Sequence, residues 1–145
     1  MNPEIKRITI HDPEYAGMLT LRDEVLRKPL GMSIYKDDLE KDEPDILVVA
    51  LAGDKVVGCA MLKKANEITG KLRQMAVAAE WQGIGLGRKI VAAAEKMGIG
   101  EGYKSIELNA RETAIPFYEQ LGYQTEGPTF TEVGIPHKLM KKQLA

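Results

Sequence analysis

An α+β fold built around one mixed sheet is what this sequence predicts, and three observations carry the prediction. Apolar runs of strand length crowd the first half and return at the end of the chain. Two amphipathic helical periodicities interrupt them. The joints between runs are short and marked by Gly, Pro, Asn or Asp. The resulting order is strand, one or two helices, three strands in hairpins, helix, strand, helix, two strands. An antiparallel half thus comes first, and a helical crossover then creates a parallel pair. The 145 residues make one domain, residues 1–145.

Taken in order, Ile5 to Ile10 alternates like a half-buried strand. His11-Asp12-Pro13 is punctuation, with Asp12 as a helix cap and Pro13 as a first helical residue. Tyr15, Met18, Leu19, Arg22, Val25 and Leu26 follow helical spacing, with Arg22 as the polar exception. Pro29 and Gly31 end that helix. An acidic segment holding Asp37, Asp38, Glu40, Asp42, Glu43 and Asp45 follows, with room for a second short helix. A solvated face is its ordinary reading, and recruitment of cations at a cleft mouth is the functional one.

Ile46 to Ala52 is a continuous apolar run that suits a central strand. Gly53-Asp54 is a two-residue turn, and Lys55 to Leu62 returns antiparallel. A turn near Asn66 leads into Glu67 to Val77. There Ile68, Gly70 and Leu72 share one parity while Met75 and Val77 take the other, which predicts a β-bulge near Arg73 to Met75. Leu86, Ile90, Val91, Ala94 and Met97 mark an amphipathic helix that Gly98 would end. Ser105 to Asn109 is a short strand. Thr113 would cap a helix from Ala114 to Leu121, with Pro116 in its first turn and Gly122 closing it. Strands around Tyr123 to Thr131 and Ile135 to Met140 finish the chain.

The composition narrows the chemistry. Net charge is −1, so no overall field draws in nucleic acid or a membrane surface. Cys59 is the only cysteine and lies in an apolar run, which reads as a buried structural thiol. No Cys/His cluster has metal-ligand spacing, and no G-x-S-x-G elbow exists for a serine hydrolase. The first residues lack the apolar core of a signal peptide, so a cytoplasmic location is expected.

The segment that calls for an explanation is Gln82-Gly83-Ile84-Gly85-Leu86-Gly87-Arg88-Lys89, where three glycines alternate as a strand gives way to a helix. Glycine lets backbone approach a ligand, and the first N–H groups of a helix lack internal partners. With the helix dipole they suit a pyrophosphate, and Arg88 and Lys89 add positive charge. A flexible turn before a surface helix is the alternative. A Walker A loop fails here, because the glycine gap is one residue short and Ile90 follows Lys89. A dinucleotide fingerprint fails because Arg88 stands at the third glycine.

The same segment resembles the acetyl-CoA loop of the GNAT acetyltransferase superfamily, Q/R-x-x-G-x-G/A, throughout Gln82 to Gly87. Leu72 to Val77 looks like that family's bulged fourth strand. Ala114-Ile115-Pro116-Phe117-Tyr118-Glu119-Gln120-Leu121-Gly122-Tyr123 resembles its A-x-x-F-Y-x-x-x-G-F/Y helix. Gly134-Ile135-Pro136-His137 is similar to the ending of the small ElaA-like branch.

The resemblance implies a central mixed sheet of six to seven strands, splayed between the fourth and fifth and flanked by about four helices. Acetyl-CoA would enter the splay as co-substrate, without a metal. Its pantetheine would pair with the backbone of Met75, Ala76 and Val77. Its pyrophosphate would rest on the amides of Gly83, Ile84, Gly85, Leu86, Gly87 and Arg88, with Gln82 completing the motif. Asn109 matches a position that contacts the cofactor arm or substrate; a plain turn residue is the other reading.

The implied chemistry is acyl transfer to an amine, small molecule or peptide, with no nucleic acid or membrane partner. Either a monomer or a homodimer fits. Tyr118 matches the family's general acid and would also line the cofactor site; an amphipathic core tyrosine is the alternative. His137 shares strand parity with Ile135 and Leu139 and points inward, where a group titrating near neutrality suits proton removal. A hydrogen-bonded structural histidine is the other reading, and Glu67, Glu107 or a water relay are alternative bases. A CoA-binding sensor without turnover is the competing function, and Tyr118 argues against it.

Overall fold

The hairpin signals of the first half close as the turn chemistry dictates. The computed structural model describes residues 2–144. In it β1 (Glu4–Ile8), β2 (Ile46–Ala52), β3 (Lys55–Lys64) and β4 (Thr69–Val77) form an antiparallel run. Gly53 takes the positive φ of 63° at the β2–β3 turn. The amphipathic helix α2 (Leu86–Gly100) then crosses over to β5 (Ser105–Arg111), which lies parallel to β4. The short helix α3 (Ile115–Gln120) leads to the hairpin β6 (Gln124–Glu132) and β7 (Ile135–Gln143), and β7 inserts beside β5. The sheet therefore has seven strands, in the order β1-β2-β3-β4-β5-β7-β6.

One face of the sheet carries helix α1 (Glu14–Arg22) and the other carries α2 and α3. A Cβ on Gly17 of α1 would meet Val56 at 3.0 Å, and one on Gly58 of β3 would meet Ile90 of α2 at 2.4 Å. Leu47, Val49, Cys59 and Met61 are fully covered on the α1 side. Leu62, Leu72, Ile106 and Leu108 are covered by α2. Cys59 is buried as expected, donates to the Gln74 carbonyl at 3.4 Å, and has its thiol pushed up to about 12 by burial.

The bulge lies where the change of parity put it. Cys59 pairs with Ala76 but Met61 pairs with Arg73, so β4 has one residue more than β3 over this stretch. Gln74 absorbs it with a φ of 54°, a conformation unusual for a residue with a side chain.

Several local expectations are corrected. The short helix of the acidic segment is a 3-10 turn, Leu39–Asp42, preceded by another at Ile34–Lys36, and is not an α-helix. Nor is the segment a uniformly solvated face, because Asp42 and Asp45 are buried. Asp42 accepts from Arg22 Nη1 at 2.8 Å and from the Tyr15 hydroxyl at 2.7 Å. That contact explains the polar exception in α1, since Arg22 faces inward and is only 1% exposed. The helix itself continues past Arg22 as a π-helical turn, Asp23–Arg27. Asp23 accepts from the Ile34 amide, and Arg27 pairs with Asp37, so the acidic segment is tied back to the helix that precedes it.

Gly98 does not end α2. It lies inside the helix, where a Cβ would come within 3.0 Å of Leu62, and the left-handed residue after the helix is Gly102. Asp12 bonds the Thr9 amide instead of capping α1, and α3 starts without a side-chain cap from Thr113.

Candidate functional site

The parallel ladder between β4 and β5 is short. Thr69 to Leu72 pair with Ser105 to Leu108, and there the pairing stops. Beyond it β4 continues through the bulge to Val77, while β5 continues to Arg111 held only by β7 on its other side. Paired strands lie about 4.8 Å apart, so their separation beyond Leu72 and Leu108 opens a wedge. The backbone of Met75, Ala76 and Val77 forms one of its sides. Asn109 is the first β5 residue past the ladder and begins the other.

The glycine loop stands at the mouth of this wedge. Gly83 and Gly85 have φ of 77° and 88°, and a Cβ on either would meet nothing within 4 Å. Their role is conformational, because an L side chain is strained there whatever the space. Gly87 differs. A Cβ there would sit 3.2 Å from Met75 Cε and 3.3 Å from Phe117 Cζ. Gly87 is thus a close-approach glycine, and it lets β4, α2 and α3 converge. Gln82 Nε2 donates to the Val77 carbonyl at 2.9 Å and ties the loop to the end of β4. Gly85 is the N-cap of α2, so the amides that follow it open the helix. The side chains of Ile84 and Arg88 are exposed, whereas that of Leu86 belongs to the core, leaving only its backbone for a ligand.

Tyr118 is buried on α3, edge-on to Phe117 at 4.9 Å and to Tyr123 at 5.8 Å. Burial alone pushes its phenol up to about 12. Among the described residues its hydroxyl has no hydrogen-bond partner. Two other phenols contrast with it, since the half-buried Tyr15 donates to Asp42 and the buried Tyr123 to Glu95.

Tyr118 and His137 are not brought together. Ile106 packs towards α2, so Ile106, Leu108 and Ala110 face that helix. Glu107, Asn109 and Arg111 face the other way, and His137, the cross-strand partner of Arg111, faces with them. The tyrosine and the histidine thus lie on opposite faces of the sheet. His137 points inward as expected and is 4% exposed. Its ring stacks on Phe130 with centroids 6.0 Å apart. The structure adds Glu132, which sequence reasoning missed. Its Oε1 accepts from Asn109 Nδ2 at 3.3 Å, and its Oε2 lies 3.5 Å from His137 Nε2. Of the alternative bases, Glu67 is 89% exposed in its side chain and paired with Lys64. Glu107 is half-buried on the α1 side of β5.

Among the described residues no group of three or more His, Cys, Asp or Glu is placed to hold a metal ion. Among these residues no helix is long and apolar enough to cross a membrane.

Residues 11–144 match the family described as an acetyltransferase (GNAT) domain. The Bacillus subtilis (strain 168) protein YyaT is 36% identical over 77 residues, a match that spans 53% of this chain and about half, 52%, of that protein. The crystal structure of Escherichia coli ElaA superposes with a TM-score of 0.84 at 17% identity, covering 97% of this chain and 99% of that one. A crystal structure of an aminoglycoside 6'-N-acetyltransferase complexed with coenzyme A superposes with a TM-score of 0.81 at 18% identity, over 98% of this chain and 97% of that one. At such identities the likeness is one of fold.

Proposed function

Because the chain belongs to the GNAT acetyltransferase family, we propose that it moves an acetyl group from acetyl-CoA to a primary amine by direct attack on the thioester. The observation that carries this reading is the wedge, bordered on its α2 face by a left-handed glycine loop and by α3 with Tyr118, whose hydroxyl is uncommitted. The bulge and the unpaired end of β4 give Met75 to Val77 main-chain groups that a pantetheine arm would satisfy. The amides from Gly83 to Arg88 suit the pyrophosphate, with the Arg88 charge beside them. The solved relative with coenzyme A supports the same use of this fold.

Tyr118 serves the leaving group. At about 12 its proton stays in place at neutral pH. The phenol is then a weaker acid than a thiol, whose ordinary value is about 8.5. Its service is therefore a hydrogen bond to sulfur as negative charge develops there. Full transfer follows as the new amide nitrogen sheds its second proton. A protein that only sensed acyl-CoA would have no use for a buried donor of this kind.

Two measurements test the reading. Calorimetry with acetyl-CoA should show binding, and release of the CoA thiol should depend on an added primary amine. Binding without thiol release, across a chemically broad amine panel, would leave a sensor and overturn the enzyme.

A further inference from the structure

The surroundings of His137 specify its tautomer. Nδ1 lies 2.7 Å from the Ile135 carbonyl oxygen. A carbonyl can only accept, so Nδ1 carries the hydrogen and the neutral ring presents its lone pair at Nε2. That lone pair faces Glu132 Oε2 at 3.5 Å. Glu132 uses its other oxygen to accept from Asn109 Nδ2, which leaves the Asn109 amide oxygen as an acceptor too. Two acceptors, Nε2 and Oε2, thus face each other, with Asn109 holding the other carboxylate oxygen.

The ligand such a cluster wants is a cationic N–H donor. A nitrogen about 2.9 Å from both Nε2 and Oε2 closes a triangle on that 3.5 Å base. An ammonium group brings three donors, enough for both acceptors. The site is open on one side only. The His137 side chain is 5% exposed, while that of Glu132 is 48% exposed. Asn109 places the cluster at the edge of the wedge, since β5 leaves β4 immediately before it. The neighbouring charged groups are Arg111, opposite His137 on β5, and Glu112 in the turn that packs on β7.

We propose that Glu132, Asn109 and His137 form the site for the acceptor amine, on the sheet face opposite Tyr118. The proposal rests on the acyl-transfer reading and names its nucleophile side. The carboxylate holds the incoming ammonium, and Nε2 takes one proton from it. The neutral nitrogen then attacks the thioester carbon, and the C–S bond breaks towards the Tyr118 face. The second nitrogen proton goes to the thiolate by way of Tyr118 and solvent. The His137 proton leaves to solvent, so each turnover gives an amide, a thiol and one released proton. Glu132 binds the ammonium, Asn109 is the positioning residue that holds Glu132, and His137 is the base.

The test compares wild type with Glu132→Gln, which keeps the shape and removes the charge. The chain's only other histidine is His11, so ¹⁵N-histidine spectra with a His11→Gln control assign His137 directly. In neutral protein Nδ1 should be the protonated nitrogen. Adding benzylamine or cadaverine should shift the Nε2 signal in wild type and leave it unmoved in Glu132→Gln. The variant should raise the KM for amine tenfold or more, with KM for acetyl-CoA within twofold, and Glu132→Asp should recover part of the loss. Equal Nε2 responses in both proteins, or an unchanged amine KM, overturn the amine site even where acetyl-CoA binding and transfer are intact. Protonation at Nε2 in the neutral ring also overturns it. Absence of acetyl-CoA binding to wild type, read separately by calorimetry, overturns the acyl-transfer reading and this site with it.

Discussion

Replacing Tyr118 by phenylalanine removes one oxygen atom, and the structure says what that atom is worth. Burial lifts the phenol from 10.0 to about 12, so the phenolate is disfavoured by roughly 2–3 kcal/mol at about 1.4 kcal/mol per unit. The neutral hydroxyl has no hydrogen bond to lose, so Tyr118→Phe should change stability by less than about 1 kcal/mol. For a chain of this size that is a melting shift of under roughly 4 °C. Turnover should fall by about one to three orders of magnitude, or roughly 1.4–4 kcal/mol of transition-state stabilisation. Tyr123→Phe is the matched control. Its hydroxyl donates to Glu95 at 2.8 Å, so its removal should cost about 1–2 kcal/mol of stability and leave turnover intact. Steady-state thiol release and differential scanning calorimetry on the two variants decide the matter. A Tyr118→Phe enzyme within twofold of wild-type kcat would refute the assignment, and so would a pair in which Tyr118→Phe loses stability while Tyr123→Phe loses turnover.

Gly87→Val should weaken acetyl-CoA binding at least tenfold in calorimetry, because its side chain enters the space between Met75 and Phe117; Gly85 is a poorer probe, since its φ of 88° strains any replacement. Asp42→Asn leaves the Arg22 charge without its buried partner and should cost about 3–5 kcal/mol in urea unfolding, while the double change Arg22→Met with Asp42→Leu should recover most of it. Val133, a β-branched residue at a φ of 46° ahead of Gly134, should give way to asparagine with a gain of about 1–2 kcal/mol, because Asn-Gly suits this turn. Burial holds the Asp45 carboxyl above its ordinary 3.8. A raised acid contributes stability below its unfolded value and loses it as pH rises through the folded one. Asp45→Asn should therefore raise the melting temperature at pH 7, and the gain should vanish near pH 3; an equal gain at both pH values would refute the cause given.

What was legible in the sequence was mostly what local periodicity encodes. The parity change between Leu72 and Met75 located the bulge because a strand side chain has only two directions. The alternating glycines located the start of α2. Arg22 broke the apolar stripe of α1 visibly, but its reason lay in Asp42, twenty positions away across a chain reversal, and no spacing rule reaches that far. The acidic segment was misread for the same cause. Its charges look alike in sequence, yet Asp42 and Asp45 are buried while Asp38 and Glu40 are exposed. Gly98 reads as a helix end because glycine most often does that work. Here the demand came from Leu62 on the neighbouring strand. Glu132 carried no signal at all, for it is a charged residue on an exposed hairpin. Only the folding of β6 back beside β7 and β5 brings its side chain to His137 and Asn109.

The placement of Tyr118 and His137 follows from the sheet rather than from either residue. A strand offers two faces, and Asn109 and Leu108 use one each at the point where β4 departs. Anything lying in the wedge is therefore reached from α3 on one side and from the β5–β7–β6 surface on the other. An attacking nitrogen and a departing sulfur occupy different sides of a tetrahedral carbon, so a splayed sheet suits acyl transfer without any loop having to carry a catalytic group across. The extra residue at Gln74 serves the same end. It lies just past the last β4–β5 pair, Leu72 with Leu108, and beyond it Met75 sits on the face of α2, beside Gly87. Deleting Gln74 should restore a continuous β3–β4 register, leave Met75 and Val77 on the α2 face, and remove the bend and the main-chain groups freed at the bulge. Acetyl-CoA binding should then be lost in a protein that still unfolds cooperatively. A deletion variant that binds acetyl-CoA like wild type would show that the bulge does not shape the wedge.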